Sequence, residues 1–221
     1  MENYMNDYLT IALPKGKLFT ISKNLLHRVG LSADHLSEKS RKLVIENKDL
    51  KVRFIIAKTS DVPTYVEYGA ADIGIIGKDV LLESQKDVYE ILDLGFGKCH
   101  LMMAVPQKEK RRHLLDYSYT RVATKYPHIA ESFFARQGMQ MEYIKLNGSI
   151  ELGPIVGLSE SIVDIVETGT TLAENDLEEI AHILDVSARL IVNRVSFKLK
   201  FHRINEIVNN LRPIIESGEI L

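Results

Sequence analysis

The sequence predicts an α/β fold, and three observations carry that expectation. Short apolar runs of strand length ("TIALP", "DIGIIG", "SIVDIV") alternate with stretches whose apolar residues recur at helical spacing. Glycine and proline punctuate the boundaries between them. The chain is 45% hydrophobic over 221 residues, enough for folding to bury roughly 70% of the unfolded surface.

In order, "YLTIALP" predicts a buried strand ended by Pro14 and Gly16. "KLFTISKNLLHRVGL" predicts a helix with Leu18, Ile21, Leu25 and Val29 inward and Gly30 as its stop. "RKLVIENKDLKVRFIIAK" predicts a hairpin turning at "ENKD". "DVPTYVEYGA" predicts a short helix capped by Asp61 and stopped near Gly69, "ADIGIIG" a strand, and "KDVLLES" a helix. Strands follow at "YEILDLG" and "CHLMMAVP". The segment from Tyr119 to Leu146 predicts strand, helix, strand, the helix starting at Pro127. "SIVDIVETG" is a strand and turn, "TLAENDLEEI" a short helix or loop, and "HILDVSARLIVNR" strand-rich. A last long helix covers 197–220, kinked at Pro213. Runs at 90–106 and 180–195 are long enough to cross between two lobes. The expected division is 1–97 plus 190–221 for lobe I and 98–189 for lobe II.

Composition narrows the function classes. Lys and Arg total 28 against 30 for Asp and Glu, a net charge of −2, so no global basic field draws nucleic acid. Cys99 is the one cysteine, and the polar start "MENYMNDYLT" has no apolar signal core. No apolar run approaches the ~20 residues of a membrane span. The expectation is a cytoplasmic protein without membrane or nucleic-acid partners. Three Gly-Lys pairs (16–17, 77–78, 97–98) fail the phosphate-loop pattern. Ile11, Asp72 and Leu92 stand where it needs glycine, and Leu18, Asp79 and Cys99 where it needs Ser or Thr. No HExxH or paired-cysteine spacing marks a zinc site, and the seven histidines are scattered.

The stretch "DIVETGTTL", Asp164 to Leu172, carries the most chemistry. A strand ends and a helix begins through Thr-Gly-Thr-Thr. Backbone N–H groups at a helix start favour anions, Gly169 lets a ligand approach, and the hydroxyls of Thr168, Thr170 and Thr171 add donors. Asp164 and Glu167 suit sugar hydroxyls or a Mg²⁺ carried by a pyrophosphate. A phosphorylated sugar fits this composition; so does an ordinary threonine-capped turn.

Six segments in sequence order resemble a known family: "ALPKGKL", "SDVPTYVEYGAADIGIIGKDVL", "LDLGFGKC", "RVATKYP", "GSIELGPIVGLSESIVDIVETGTTL" and "LIVNR". The chain looks like the short form of ATP phosphoribosyltransferase, which opens histidine biosynthesis; an end just past "LRPIIESGEIL" fits that form. The resemblance implies a two-lobed fold like type II periplasmic binding proteins, with the active site in the interlobe cleft. It implies attack of adenine N1 of ATP on C1 of phosphoribosyl pyrophosphate (PRPP), loss of pyrophosphate, and Mg²⁺ as cofactor. It also implies a regulatory subunit resembling histidyl-tRNA synthetase, in a hetero-oligomer of hetero-octamer type.

The same resemblance distributes roles. Asp164, Glu167, Thr168, Gly169, Thr170, Thr171 and Leu172 become the PRPP loop, with the 5-phosphate on the backbone of 168–171 and ribose hydroxyls on Asp164. Lys15 and Lys58 become the catalytic cations for departing pyrophosphate, with Gly16 beside Lys15 and Lys17 a weaker candidate. The family pattern has arginine where this chain has Lys58, so the planar fork is lost and the charge kept. Arg53 lies an odd number of residues away and faces the other side of the strand. Asp72 is expected on the adenine of ATP and Glu151 on a ribose hydroxyl or Mg²⁺; Cys99 and Tyr126-Pro127 read as structural. The rival classes are a non-catalytic small-molecule binding protein of the same fold and a subunit-interaction module.

Overall fold

Among the described residues of this computed structural model (8–31, 36–37, 42–111 and 113–218), the strands form two sheets. In chain order the elements are β1 (Leu9–Pro14), α1 (Lys17–Arg28), β2 (Val44–Asn47), β3 (Val52–Ala57), α2 (Val62–Glu67), β4 (Ile73–Gly77), α3 (Lys78–Ser84) and β5 (Tyr89–Asp93). Then come β6 (Cys99–Pro106), β7 (Arg121–Thr124), α4 (Pro127–Arg136), β8 (Glu142–Lys145), α5 (Leu152–Ile155), β9 (Ser161–Val166), α6 (Thr170–Glu174) and β10 (Leu177–Val186). The chain ends with β11 (Ala188–Val192), α7 (Arg194–Leu199) and α8 (Phe201–Glu216). Described residues up to Gly97 and from Ser187 form one compact unit, and Lys98–Val186 the other. The two long crossing runs expected from sequence are each two strands in different sheets, β5 then β6 and β10 then β11.

The first unit has strand order β2-β3-β1-β4-β11-β5, with β3, β1 and β4 parallel. β1 and β4 are buried at every position, as continuous apolar runs require in a sheet covered on both faces. Helix α1 buries Phe19, Leu25 and Leu26, while Leu18, Ile21 and Val29 sit at the core margin, so its inward stripe is rotated from the expected one. It ends as expected at Gly30, in the left-handed region at φ 81°. Gly30 N–H bonds the His27 carbonyl and Leu31 N–H that of Leu26, the paired closure of a Schellman end. Asp61 does not cap α2; it lies inside a 3₁₀ turn over Thr59–Asp61, and its carboxylate accepts from the Ser60 hydroxyl. Helix α2 lies so close to β4 that a Cβ on Gly74 would come within 2.8 Å of Val66 and 2.9 Å of Val62.

In the second unit the order is β10-β6-β9-β7-β8. β7 runs parallel to β8 and β9, and β6 antiparallel to β9 and β10. One apolar cluster packs Leu101, Met103 and Val163 with Phe134 of α4. A second joins Met102, Ala104, Ile162 and Val166 to Ile150, Leu172 and Leu177. Pro127 opens α4, as its fixed φ favours. The segment read as "short helix or loop" is α6 followed by the start of β10.

The C-terminal helix is also two helices, broken at Lys200 (φ −115°, ψ 25°). The break has a partner. Lys200 Nζ donates to Asp72 Oδ2 and to the Tyr8 carbonyl, each at 2.7 Å. Asp72 Oδ2 also accepts from Thr10 N–H at 2.8 Å, and Oδ1 from the Ser196 hydroxyl at 2.6 Å. Asn193 accepts from Val195 and Ser196 N–H at the start of α7 and donates to the Val66 and Glu67 carbonyls at the end of α2. Pro213 lies in the last turns of α8, and the expected extension over 219–220 falls outside the described residues.

Truncating Asp72 removes the counter-ion of the Lys200 ammonium, which keeps the Tyr8 carbonyl, and strands two buried donors, Thr10 N–H and the Ser196 hydroxyl. Asp72→Ala is therefore expected to lower the unfolding free energy by about 3–5 kcal/mol. Urea denaturation of the purified chain checks this, and a loss below about 1 kcal/mol contradicts it.

Candidate functional site

Ligands of open α/β sheets gather beyond the C-terminal ends of parallel strands. In the first unit those ends belong to β3, β1 and β4. The register Pro14↔Ala57 sets Lys15 beside Lys58, each one residue past its strand. Lys15 N–H bonds the Ala57 carbonyl at 2.9 Å, and the Thr59 hydroxyl donates to the Lys15 carbonyl at 3.2 Å, so the two turns are tied together. Both lysines are exposed. Gly16 follows at φ 92°, ψ −152°, a conformation side-chain-bearing residues avoid, and it opens α1 with the positive end of the helix dipole at this edge. Arg53 is engaged by Glu46 at 2.8 Å and cannot stand in for an arginine at position 58. Lys78, one residue past β4, completes a row of three cations and pairs with Glu90 at 2.5 Å.

Asp72 does not belong to this edge. It precedes β4, so it lies at the opposite end of the strand, roughly 16 Å away at 3.3 Å per residue. Its carboxylate is buried and committed to Thr10, Ser196 and Lys200. With both oxygens so used, the Asp72 side chain does not fit the expected contact with adenine.

In the second unit the parallel ends are those of β8, β7 and β9. β9 runs into the turn 167–169, where Gly169 takes the left-handed region at φ 78°, ψ −3°. A Cβ there would meet no atom within 4 Å, so backbone strain rather than space demands the glycine. Thr168, Thr170 and Thr171 are exposed, with the Thr168 and Thr170 hydroxyls 3.1 Å apart. Gly169 N-caps α6, its carbonyl accepting from Ala173 N–H at 3.1 Å. Asp164 is half-buried inside β9, and its Oδ1 accepts from Ile165 N–H at 2.8 Å. Glu167 is exposed at the rim. The Leu172 side chain is buried in the apolar cluster and anchors α6, so any part this residue takes in the loop falls to its backbone. Ile150 plugs into the same cluster, which holds half-buried Glu151, at the start of α5, on the same face of the sheet as the loop.

Lys125 is absent from the sequence expectations. It stands one residue past β7, and extending the register Thr124↔Val163 by one step sets it level with Asp164. Its signal was the one that marked Lys15 and Lys58, a lysine directly after a buried apolar strand. The turn beneath it is fixed by Thr124, whose hydroxyl donates to the Val163 carbonyl at 2.7 Å and accepts from Tyr126 N–H at 2.9 Å.

The family model described as HisG: ATP phosphoribosyltransferase matches residues 58–213. An ATP phosphoribosyltransferase of Desulfitobacterium hafniense is 52% identical over 216 residues, covering 95% of this chain and 97% of its own. One from Geobacter metallireducens is 51% identical over 208 residues, covering 94% and 98%. Among solved structures, the ATP phosphoribosyl transferase (HisG:HisZ) complex from Thermotoga maritima aligns with TM-score 0.80 at 33% identity, covering 95% of this chain and 98% of that one. A substrate-binding protein of an amino acid ABC transporter aligns with TM-score 0.62 at 12% identity, covering 96% and 95%, a likeness of fold alone.

The pairing of β7 with β9, whose ends carry the loop, is locked at its other end by Arg121 and Glu160. Glu160 Oε2 accepts from Arg121 N–H at 2.8 Å, and Oε1 from the guanidinium at 2.5 Å. The Arg121 hydrogen bonds hold the Glu160 carboxyl below the usual carboxylate range, against the opposing effect of burial. A carboxyl depressed in the folded state stabilises above its unfolded value and loses that contribution as pH falls through the folded value. Glu160→Gln is expected to flatten the loss of stability on acidification, read from urea midpoints between about pH 7 and about pH 3. An acid limb identical to that of the parent chain contradicts the lock.

Proposed function

We infer the chemistry from one premise: this chain belongs to the ATP phosphoribosyltransferase family, the enzymes of the first step of histidine biosynthesis. It is an enzyme of the phosphoribosyltransferase class. We propose that adenine N1 of ATP attacks C1 of PRPP, that the bond from C1 to pyrophosphate breaks, and that N1-(5-phosphoribosyl)-ATP forms with inversion at C1. The observation that carries this reading is the glycine turn at Gly169, which sets three threonines at the C-terminal end of a parallel strand.

The 5-phosphate is assigned to the backbone and hydroxyls of Thr168–Thr171, where fixed donors need no reorganisation. Asp164 accepts from ribose hydroxyls, and Lys125 neighbours it as a cation for the same sugar phosphate. Lys15 and Lys58, with the α1 dipole behind Gly16, stabilise charge on the leaving pyrophosphate as point charges. Adenine N1 has a lone pair and carries no proton, so no general base is required. Holding both substrates removes much of the entropic barrier.

The family is one of metal-requiring enzymes, and we propose Mg²⁺ carried by the pyrophosphate of PRPP. The carboxylate oxygens of Glu151, Asp164 and Glu167 suit a hard cation, which would neutralise phosphate charge when bound. A regulatory partner is proposed by analogy with the HisG:HisZ complex. No described helix is long and apolar enough to cross a membrane; a cytoplasmic location is proposed with the biosynthetic role.

The decisive assay mixes ATP, PRPP and Mg²⁺ with the chain and its cognate partner subunit and follows pyrophosphate release. Turnover that stops on chelation is expected; no release with the partner present overturns the proposal. Gly169→Val forces a β-branched residue into the left-handed region and displaces the loop donors. It is expected to raise KM for PRPP about tenfold or more, a loss near 1.4 kcal/mol. Unchanged KM and kcat remove the loop from the site.

A further inference from the structure

β10 is the edge strand of the second sheet and pairs with β6 through two register shifts, between Glu179 and Ala181 and between His182 and Leu184. Each shift places an extra β10 residue against β6. The partners are Glu179↔Ala104, His182↔Met102 and Asp185↔His100. Residues 100, 102 and 104 share one face of β6, because side chains alternate along a strand. The double bulge therefore brings Glu179, His182 and Asp185, spaced by three, onto the face that carries His100. A regular strand would send His182 to the opposite side from Glu179 and Asp185. The exposure of β10 follows the same period, with 179, 182 and 185 its exposed positions.

The side chains converge. His100 Nε2 lies 2.9 Å from Glu179 Oε2, and the His100 and His182 rings stack at 5.3 Å and 27°. One ligand atom from each of His100, Glu179 and His182 lies within 4.8 Å of the others. Asp185 Oδ1 is 3.4 Å from His182 Nε2. The side chains are 28% exposed at His100, 35% at Glu179 and 50% at His182, so an ion has a path in and the rotamers have room to adjust.

We propose that His100, His182 and Glu179 bind a divalent transition ion of the zinc type, with Asp185 or water completing the shell. Two imidazoles and one carboxylate form a recurrent zinc donor set, and imidazole selects zinc, copper or nickel over magnesium. Ligands at zinc bond lengths stand roughly 3.3 Å apart in a tetrahedron, so the cluster needs only a small contraction. The ion would clasp the edge strand β10 to β6. The register His100↔Val166 puts that clasp one strand from β9, level with its last residue before the loop at Glu167. Its chemistry is distinct from that of a substrate-borne Mg²⁺, and it does not depend on the proposed reaction.

The test is calorimetric titration of the full chain with Zn²⁺ in excess Mg²⁺. One saturable equivalent per chain is expected. Replacing both imidazoles, in His100→Gln with His182→Gln, is expected to abolish saturable binding, and Glu179→Gln to weaken it by at least the roughly 10–100-fold that loss of an outer-shell partner costs. Metal-free urea midpoints equal to the parent's show that the variants fold. As a second measurement, Co²⁺ is expected to give a visible d–d spectrum in the parent and in Cys99→Ser, and to lose it in the double-histidine variant. No saturable binding in excess Mg²⁺ overturns the proposal. So does binding that survives in the double variant or is lost in Cys99→Ser.

Discussion

The buried carboxylate of Asp72 is the constraint on which the first unit depends. That unit is discontinuous, built from the first part of the chain and a returning C-terminal segment. Asp72 joins β1 through Thr10, α7 through Ser196, and the α7–α8 break through Lys200. Its own carbonyl accepts from Asn193 N–H, and Asn193 in turn secures the end of α2. A charge is expensive to bury unless it is paired and its remaining lone pairs are used. Here they are used on groups from both chain segments, so correct return of the C-terminal segment is what satisfies the carboxylate.

This network explains why an acid in "AADIG" misleads at the level of sequence. An aspartate beside a buried strand reads equally well as a ligand contact or as a pin, and only strand direction separates them. Ligand contacts belong at the C-terminal edge of parallel strands, and Asp72 sits at the N-terminal edge of β4. The placement of Lys15, Lys58 and the Thr168–Thr171 turn at strand ends was legible because each follows a strand whose apolar run is unmistakable. Lys125 follows β7 in the same way, but the strand is only four residues long and runs into "YPH", where Pro127 marks a helix start.

The fold was legible wherever one period governed a segment. The strands of "TIALP" and "DIGIIG", the hairpin of β2 and β3, and α4 from Pro127 all obey a single local rule. Two elements escaped because tertiary contacts set them. β10 repeats with period three, since two bulges reset its alternation, so neither the strand nor the helix template fits "LEEIAHILDV". The helices α7 and α8 form one apolar stripe in sequence, and the break between them falls at Lys200, whose ammonium reaches Asp72. Leu172 belongs to the loop by its place in the motif, while packing commits its side chain to anchoring α6.

The likeness to an amino acid substrate-binding protein at 12% identity separates scaffold from chemistry. Both units present the C-terminal ends of three parallel strands, and that arrangement belongs to the scaffold. Most of the proposed ligand groups lie just past those ends, exposed and contributing little to packing, with Asp164 inside β9 and Glu151 at α5 half-buried. Substrate identity can therefore change by substitution at a handful of positions without loss of the core. Ile150 and Leu172 are the exceptions, since they bury apolar side chains in one cluster while holding the segments that carry Glu151 and the threonine turn. Through those two residues the packing of the second unit governs the placement of its proposed ligand groups.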